Sequence, residues 1–398
     1  MAKQSGVLYI SSTGMMEPLG QSQVLAYLEV LVKERPIHLI SYEKPDDWQN
    51  IQERHAVNKR MERAGIIWHP LRYHNRPRLG ATIYDILAGF LLGWRLVRRH
   101  HLAIIHARSY FPALSACLLS AITRRKFIFD IRGFWVDERA DTGRLNRKGL
   151  LYKTLKYAER KLFTRSDAIV SLTHAGKREI QRQPYMQEVQ VPIRVIPTCV
   201  DHVKFHHQDA DKSGSFIFGH VGNVESWYLF DETLAFFRLL KQKRPDATLH
   251  VINRGAHDYI FDRLKAHGIP AEGVTVKAAQ HHEMCDFINQ FTVGSALIRP
   301  LYSKIASAPT KMAEYLACGV PMLGNSGVGD VEEILHKERV GIALADFTES
   351  SLQEGVSRLL TLLEDPHTAA RCVAAAQKYF TLEQGAKDYA EIYRKLSS

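Results

Sequence analysis

Paired cysteines are missing from this sequence. Its five (Cys117, Cys199, Cys285, Cys318 and Cys372) stand far apart with no Cys-x-x-Cys pair, which excludes a disulfide framework or a clustered thiolate zinc site and fits a reducing compartment. Long hydrophobic runs are also missing. The longest, Ile83 to Trp94, is interrupted by Asp85 and falls short of the roughly 20 residues a membrane span needs. The opening residues, MAKQSGVLYISS, hold too short an apolar core for a signal peptide, so nothing is expected to cross a membrane, while peripheral binding stays open. Low-complexity tracts and short repeats are absent. With 45% hydrophobic and 24% charged residues, the 398-residue chain excludes disorder and points to two globular domains.

Negative charge is in short supply. There are 42 Asp and Glu against 53 Lys and Arg, a net charge of +11, which suits an anionic partner such as nucleic acid, a phosphate-rich substrate or anionic lipid. The deficit lies in one half. Residues 1–200 carry 32 basic and 17 acidic side chains, whereas residues 201–398 carry 21 and 25.

Short apolar runs alternate with amphipathic segments. Val7–Ile10, Ile37–Ile40, Ile66–Trp68, Ala103–Ile105, Phe127–Ile131 and Ala168–Leu172 read as strands, with helical patterns such as 21–33, 83–99 and 112–122 between them. A second series runs through Phe216–Val221, Thr248–Ile252, Val274–Val276, Ser295–Ile298 and Pro321–Leu323, with helices over 230–241 and 309–317, and the tail beyond about Ser357 reads as helical. Strand–helix alternation predicts an α/β fold with two Rossmann-like domains, each binding ligands at the carboxyl ends of its strands.

Three segments can carry chemistry at such edges. In Ser307–Pro321, Pro309 suits the first helical position, leaving the amides of Thr310 and Lys311 at a helix N-terminus that favours an anion. Lys311 adds a full charge, and Glu314 lies on the same face three residues on. Phosphate on the lysine and amides with sugar hydroxyls on the carboxylate would suit a nucleoside diphosphate; a surface ion pair on an ordinary helix is the competing reading, and the residues alone leave both open. Phe129–Glu138 gathers Asp130, Arg132, Asp137 and Glu138 with Phe134 and Trp135 after a strand. Asp130 or Arg132 can contact reacting oxygens there, or can form a strand-end salt bridge. In the loop Ser12–Gln23, Gly14 and Gly20 permit close backbone approach, and Gly20 with Gln21 can offer amides to a phosphate or an acceptor oxygen; the loop lacks the G-x-G-x-x-G dinucleotide pattern.

Arg144–Arg165 contains eight Lys or Arg and one acid among leucines, a pattern that fits an anionic lipid surface or a solvated helix with an apolar inner face. Arg95, Arg98, Arg99, Arg124, Arg125 and Lys126 add to a basic N-terminal face. The histidine doublets at 100–101, 206–207 and 281–282 have no partnered ligand spacing, and no metal site is expected.

The run Pro309–Pro321, followed by G-N-S-G-V-G-D-V-E-E-I at Gly324–Ile334, resembles the donor-binding helix, strand and loop of family 4 glycosyltransferases with the GT-B fold. The glycine loop after the first strand, I-P-x-x-V-D at Ile196–Asp201, the V-G turn within His220–Asn223 and a C-terminal helix ending in Y-R-K-L extend the resemblance over nearly the whole chain. It implies an acceptor-binding domain of residues 1–195 completed by the last helix, about 381–398, and a donor-binding domain of residues 196–380, facing each other across a cleft.

The resemblance further implies a retaining hexosyltransferase that needs no cofactor or metal. A UDP-sugar is favoured as donor over a GDP-sugar, the acceptor is a glycan or lipid-linked glycan, and the site is cytoplasmic or peripheral on the inner face of the membrane. The donor site would comprise Gly222, Asn223, Arg254, Lys304, Thr310, Lys311 and Glu314. Three departures stand out: Ala306 occupies the position of the family's first glutamate, Asn223 replaces the usual arginine after the V-G turn, and Asp130 or Arg132 takes the place of a histidine. A sugar-nucleotide epimerase of the same architecture and a basic nucleic-acid-binding protein are the alternatives, although no nucleic-acid reading motif is present.

Overall fold

The computed structural model describes residues 5–208, 214 and 216–397, and the chain divides into two compact units, Met1–Pro197 with Leu382–Ser398, and Thr198–Thr381. The first unit is built on β1 (Val7–Ser11), β2 (Ile37–Glu43), β3 (Ile67–Arg72), β4 (Ile104–Arg108), β5 (Lys126–Asp130), β6 (Ala168–Ser171) and β7 (Ile193–Val195), in the order β3-β2-β1-β4-β5-β6-β7. Every pairing is parallel; Ile10, for example, lies between Ile40 and Ala107. All five residues of β1 and of β4 are buried, because helices cover both faces of a parallel sheet, and this is why these strands read as continuous apolar runs.

The second unit repeats the plan with β8 (Ile217–Val221), β9 (Thr248–Ile252), β10 (Val274–Lys277), β11 (Val293–Ser295), β12 (Met322–Asn325) and β13 (Gly341–Leu344), ordered β10-β9-β8-β11-β12-β13 and again wholly parallel. The predicted α/β architecture with two Rossmann-like sheets is therefore present. Two strands were not foreseen: β7, with only three residues, and β13, both at sheet edges. A third, β11, lies earlier than the predicted 295–298. Its Gly294 hides the strand pattern, yet a Cβ there would come within 2.6 Å of the Tyr315 ring, so the glycine admits the ring of the covering helix.

The apolar stretch Ile83–Trp94 belongs to a longer element than expected. The helix runs Arg78–His100, and its Gly80–His100 portion is long and apolar enough, by length and composition, to cross a membrane. Here it is docked on the first sheet. Asp85 is buried, pairing with the His74 ring at 2.7 Å and accepting from the His74 amide. Gly93 packs on Leu8 and Leu119, and the Tyr42 hydroxyl donates to the Asp85 carbonyl.

The C-terminal helix, Leu382–Ser397, belongs to the first unit. It is anchored there by Tyr389, Tyr393 and an Asp388–Arg194 ion pair.

Candidate functional site

In the second unit, β8 ends at a turn whose geometry needs glycine. Gly222 has φ +88°, and a Cβ there would sit 3.3 Å from Cε of Lys311. The Gly222 amide donates to Ile252 at the end of β9, and the Asn253 side chain donates back to the Gly222 carbonyl, so two adjacent strand ends are tied together. The helix Thr310–Ala317 approaches this turn. It starts one residue later than expected: Pro309 is extended, at φ −64° and ψ 123°, and Thr310 is the first helical residue. No side chain caps it and its first turn contains no acid, so its N-terminal dipole is not neutralised from within. Tyr315 holds the helix in place, its hydroxyl accepting from the Val221 amide at 3.0 Å.

Lys311 and Glu314 are therefore brought beside the Gly222 turn. Lys311 is 5% exposed, and its Nζ lies 3.6 Å from the centre of the Tyr228 ring and 3.5 Å from Nε2 of His220. Burial lowers its pKa to about 7, with Glu314 opposing the fall. Burial likewise pushes the Glu314 carboxyl up to about 7, and Lys311 pulls it back. Each is thus poised between charge states, as groups are when desolvation exceeds compensation by the protein. His220, on β8, is held well below its usual range by burial and by Lys311. Its Nε2 faces the Asn223 carbonyl at 3.0 Å and its Nδ1 the Ser295 hydroxyl at 3.1 Å, which assigns the proton to Nε2 in a neutral ring.

The remaining donor candidates differ. Lys304 is buried with Nζ 3.6 Å from the centre of the Trp227 ring, so the Trp227–Tyr228 pair carries both lysines on aromatic faces. Asn223 is exposed, and its side chain accepts from the Glu225 amide. Arg254 is exposed on the turn after β9. Ala306 is buried and offers no polar group. His220, Trp227 and Tyr228 were not singled out from sequence. The adjacent aromatics just after a strand-end glycine are the one sequence signal that pointed to them.

The first unit places its candidates otherwise. Asp130, at the end of β5, is completely buried: Oδ2 accepts from the Tyr389 hydroxyl at 2.9 Å and lies 3.6 Å from the His106 ring, and Oδ1 accepts from Arg132 at 3.3 Å. Burial alone would raise this carboxyl, but Arg132, His106 and Arg108 hold it down at about 2. Asp130, a catalytic candidate from the sequence, is thus placed with its carboxylate enclosed by side chains, where it anchors the last helix. Arg132 is partly exposed at the sheet edge, and burial is outweighed by Asp130, which raises its pKa. Arg108, missed from sequence, is buried beside it with Nη1 on the Thr13 hydroxyl and Nε unbonded.

The first loop also departs from expectation. The Gly14 amide donates to Glu17, and the Met15 and Met16 amides donate to the buried Glu43. A Cβ at Gly20 would lie 1.9 Å from the Gly14 carbonyl oxygen, and the Gln21 amide donates to the Glu17 carbonyl within the helix. The glycines let the loop close on itself, and the Gly14, Met15, Met16 and Gln21 amides are all bonded within the first unit.

Among the described residues, no group of three or more His, Cys, Asp or Glu is placed to hold a metal ion. The sequence has no significant match among curated proteins. Two family models match in succession: Glycosyltransferase Family 4 over residues 36–204 and Glycosyl transferases group 1 over residues 203–379.

The chain is similar in fold to the sucrose-phosphate synthase of Thermosynechococcus elongatus, with a TM-score of 0.74, 12% identity and 99% of each chain covered. A glycosyltransferase of Rickettsia africae gives 0.71 at 12% identity, covering 100% of this chain and 99% of that one. Anabaena HepE, solved in complex with UDP-glucose, gives 0.69 at 15% identity, covering 98% of this chain and 99% of its own. The family matches decide against the epimerase and nucleic-acid-binding alternatives. With both halves matched in order on two parallel doubly wound sheets, the chain belongs to the family 4 type of glycosyltransferases and has the GT-B fold.

Proposed function

We propose that the chain transfers a hexose, with retention of configuration, from a nucleoside diphosphate sugar to a glycan or lipid-linked glycan acceptor in polysaccharide assembly. A UDP-sugar is favoured as donor over a GDP-sugar. The observation that carries the reading is the Lys311–Glu314 pair beside Gly222, two groups whose desolvation the protein itself leaves largely uncompensated. A diphosphate on Lys311 and the helix N-terminus, with ribose hydroxyls donating to Glu314, supplies that compensation. HepE, similar in fold, was solved with UDP and with UDP-glucose.

In the proposed reaction the bond from the anomeric carbon to the phosphate oxygen breaks, and the acceptor oxygen bonds to that carbon on the same face. The acceptor proton passes to the departing phosphate. Lys311 and the amides of Thr310 and Lys311 stabilise the charge growing on that phosphate, so no separate general-base dyad and no metal are required. Lys304 and Arg254 are the further cations assigned to the donor side, and Arg132 to the acceptor side. The second unit takes the donor role and the first the acceptor role, in a cytoplasmic enzyme at the inner membrane face.

Thermal-shift screening of UDP, GDP and their sugars tests the donor. A ligand at about 100 times its Kd adds about 2.7 kcal/mol of stability. A shift with uridine nucleotides larger than with guanosine nucleotides is expected, and no shift with any diphosphate nucleotide would remove the proposal.

A further inference from the structure

Three neighbouring helices of the first unit leave a large apolar surface uncovered. On Arg78–His100, Ile83, Leu87, Leu91 and Trp94 recur at helical spacing with Tyr84 beside them, and each is 38–61% exposed. Only 33% of the most apolar stretch of this helix is buried. The helix Tyr110–Thr123 packs alongside and continues the surface with Leu118 and Ile122, 52% and 62% exposed. Next to it, the helix Leu150–Arg165 adds Tyr157, 60% exposed. Exposed apolar side chains grouped on packed helices in this way mark an interaction site.

The helices that carry it are rich in basic residues and poor in acidic ones. From Arg78 to Lys126 the chain carries a single acidic residue, Asp85, which is buried and paired with His74. In the helix Leu150–Arg165 the one acid, Glu159, is buried on Lys156 and Tyr110. Both of the first two helices return antiparallel to the strands, so their carboxyl ends lie at the same edge of the sheet. There Arg95, Arg98, Arg99 and Arg124 are exposed, while Lys126 is held on Asp167 at 2.8 Å. Arg98 lies 5.1 Å from the centre of the Trp94 ring, joining the cationic rim to the apolar stripe.

We propose that this face docks on an anionic phospholipid bilayer, with Ile83, Leu87, Leu91 and Trp94 entering the headgroup boundary and the arginines on the lipid phosphates. Complementarity selects the bilayer over a second copy of the chain, because a two-fold contact through this face would bring like charges together. The site lies on the helix Arg78–His100 and its neighbour. The basic segment Arg144–Arg165 flanks it, with Lys156 directed inward onto Asp137. The inference deepens the lipid-linked acceptor reading, but its readout needs neither donor nor transfer, so either can fail alone.

Vesicle sedimentation of the full chain tests it, using phosphatidylcholine alone or with one third phosphatidylglycerol. Binding to the anionic vesicles at least tenfold tighter than to the neutral ones, weakening with salt, is expected. R95Q/R98Q/R99Q should weaken it by roughly 100-fold, about fivefold per charge. I83S/L87S/L91S, at exposed positions, should abolish it at an unchanged melting temperature. Three results would overturn the proposal: no binding to anionic vesicles, equal binding by both variants, or no vesicle binding together with a dimer in sedimentation velocity that I83S/L87S/L91S dissolves, which would give the face to a second copy.

Discussion

The two sheets carry charged residues at equivalent edges and use them in opposite ways. At the end of β5, Asp130 is ringed by Arg132, His106 and Tyr389 and is held ionised at about 2. Beside β8, Lys311 is buried and Glu314 partly buried, with so little compensation that both are brought to about 7. A buried charge whose partners are complete is an element of structure, and one whose partners are missing is a place for a ligand.

Removing the compensated charge should therefore act on folding. D130A leaves Arg132 and Arg108 without their counter-charge and should lower stability by about 3–5 kcal/mol, read by denaturant unfolding, while the folded fraction keeps its nucleotide affinity. A D130A protein of normal stability that binds nucleotide and transfers no sugar would return Asp130 to catalysis. Removing an uncompensated charge should act on binding: K311A is expected to weaken UDP binding by roughly 100-fold without lowering the melting temperature, and E314A by roughly tenfold. Loss of stability in K311A would show that the lysine is structural after all.

The proton balance sharpens the contrast. A bound diphosphate raises the pKa of Lys311 from about 7, so binding takes up a proton and affinity falls as pH rises above 7. Ribose hydroxyls favour the Glu314 carboxylate and lower its pKa from about 7, so affinity also falls as pH drops below 7. Affinity for UDP-glucose, whose phosphodiester charges do not titrate in this range, should peak near pH 7. K311A should flatten the alkaline limb and E314A the acid limb; a pH-independent affinity would contradict the linkage. The smallest effect expected is that of Y389F, which removes one hydrogen bond from Asp130 and should cost about 1 kcal/mol in chemical denaturation.

Much of the fold was legible. The central strands read correctly because residues buried on both faces, as in β1 and β4, leave continuous apolar runs, and the helix bearing Lys311 and Glu314 was marked by its proline and spacing. The edge strand β7, with three residues, was too short to register, β13 was missed although it is as long as β6 and β12, and Gly294 obscured β11 because its reason lies in the distant Tyr315 ring. At the sites, the chemistry of Lys311 and Glu314 could be read from one helix turn. The enclosure of Asp130 could not, because its partner Tyr389 is 259 residues away. Gly14 and Gly20 were legible as places of close approach, but glycine does not name what approaches, here Glu43 and the loop itself.

Calorimetric titration of UDP into the wild-type chain, K311A and D130N side by side separates the uncompensated charge from the compensated one. One UDP bound per chain is expected for the wild type, with an affinity within about twofold of it in D130N and roughly 100-fold weaker binding in K311A. Unchanged affinity in K311A, or a loss confined to D130N, would contradict that separation.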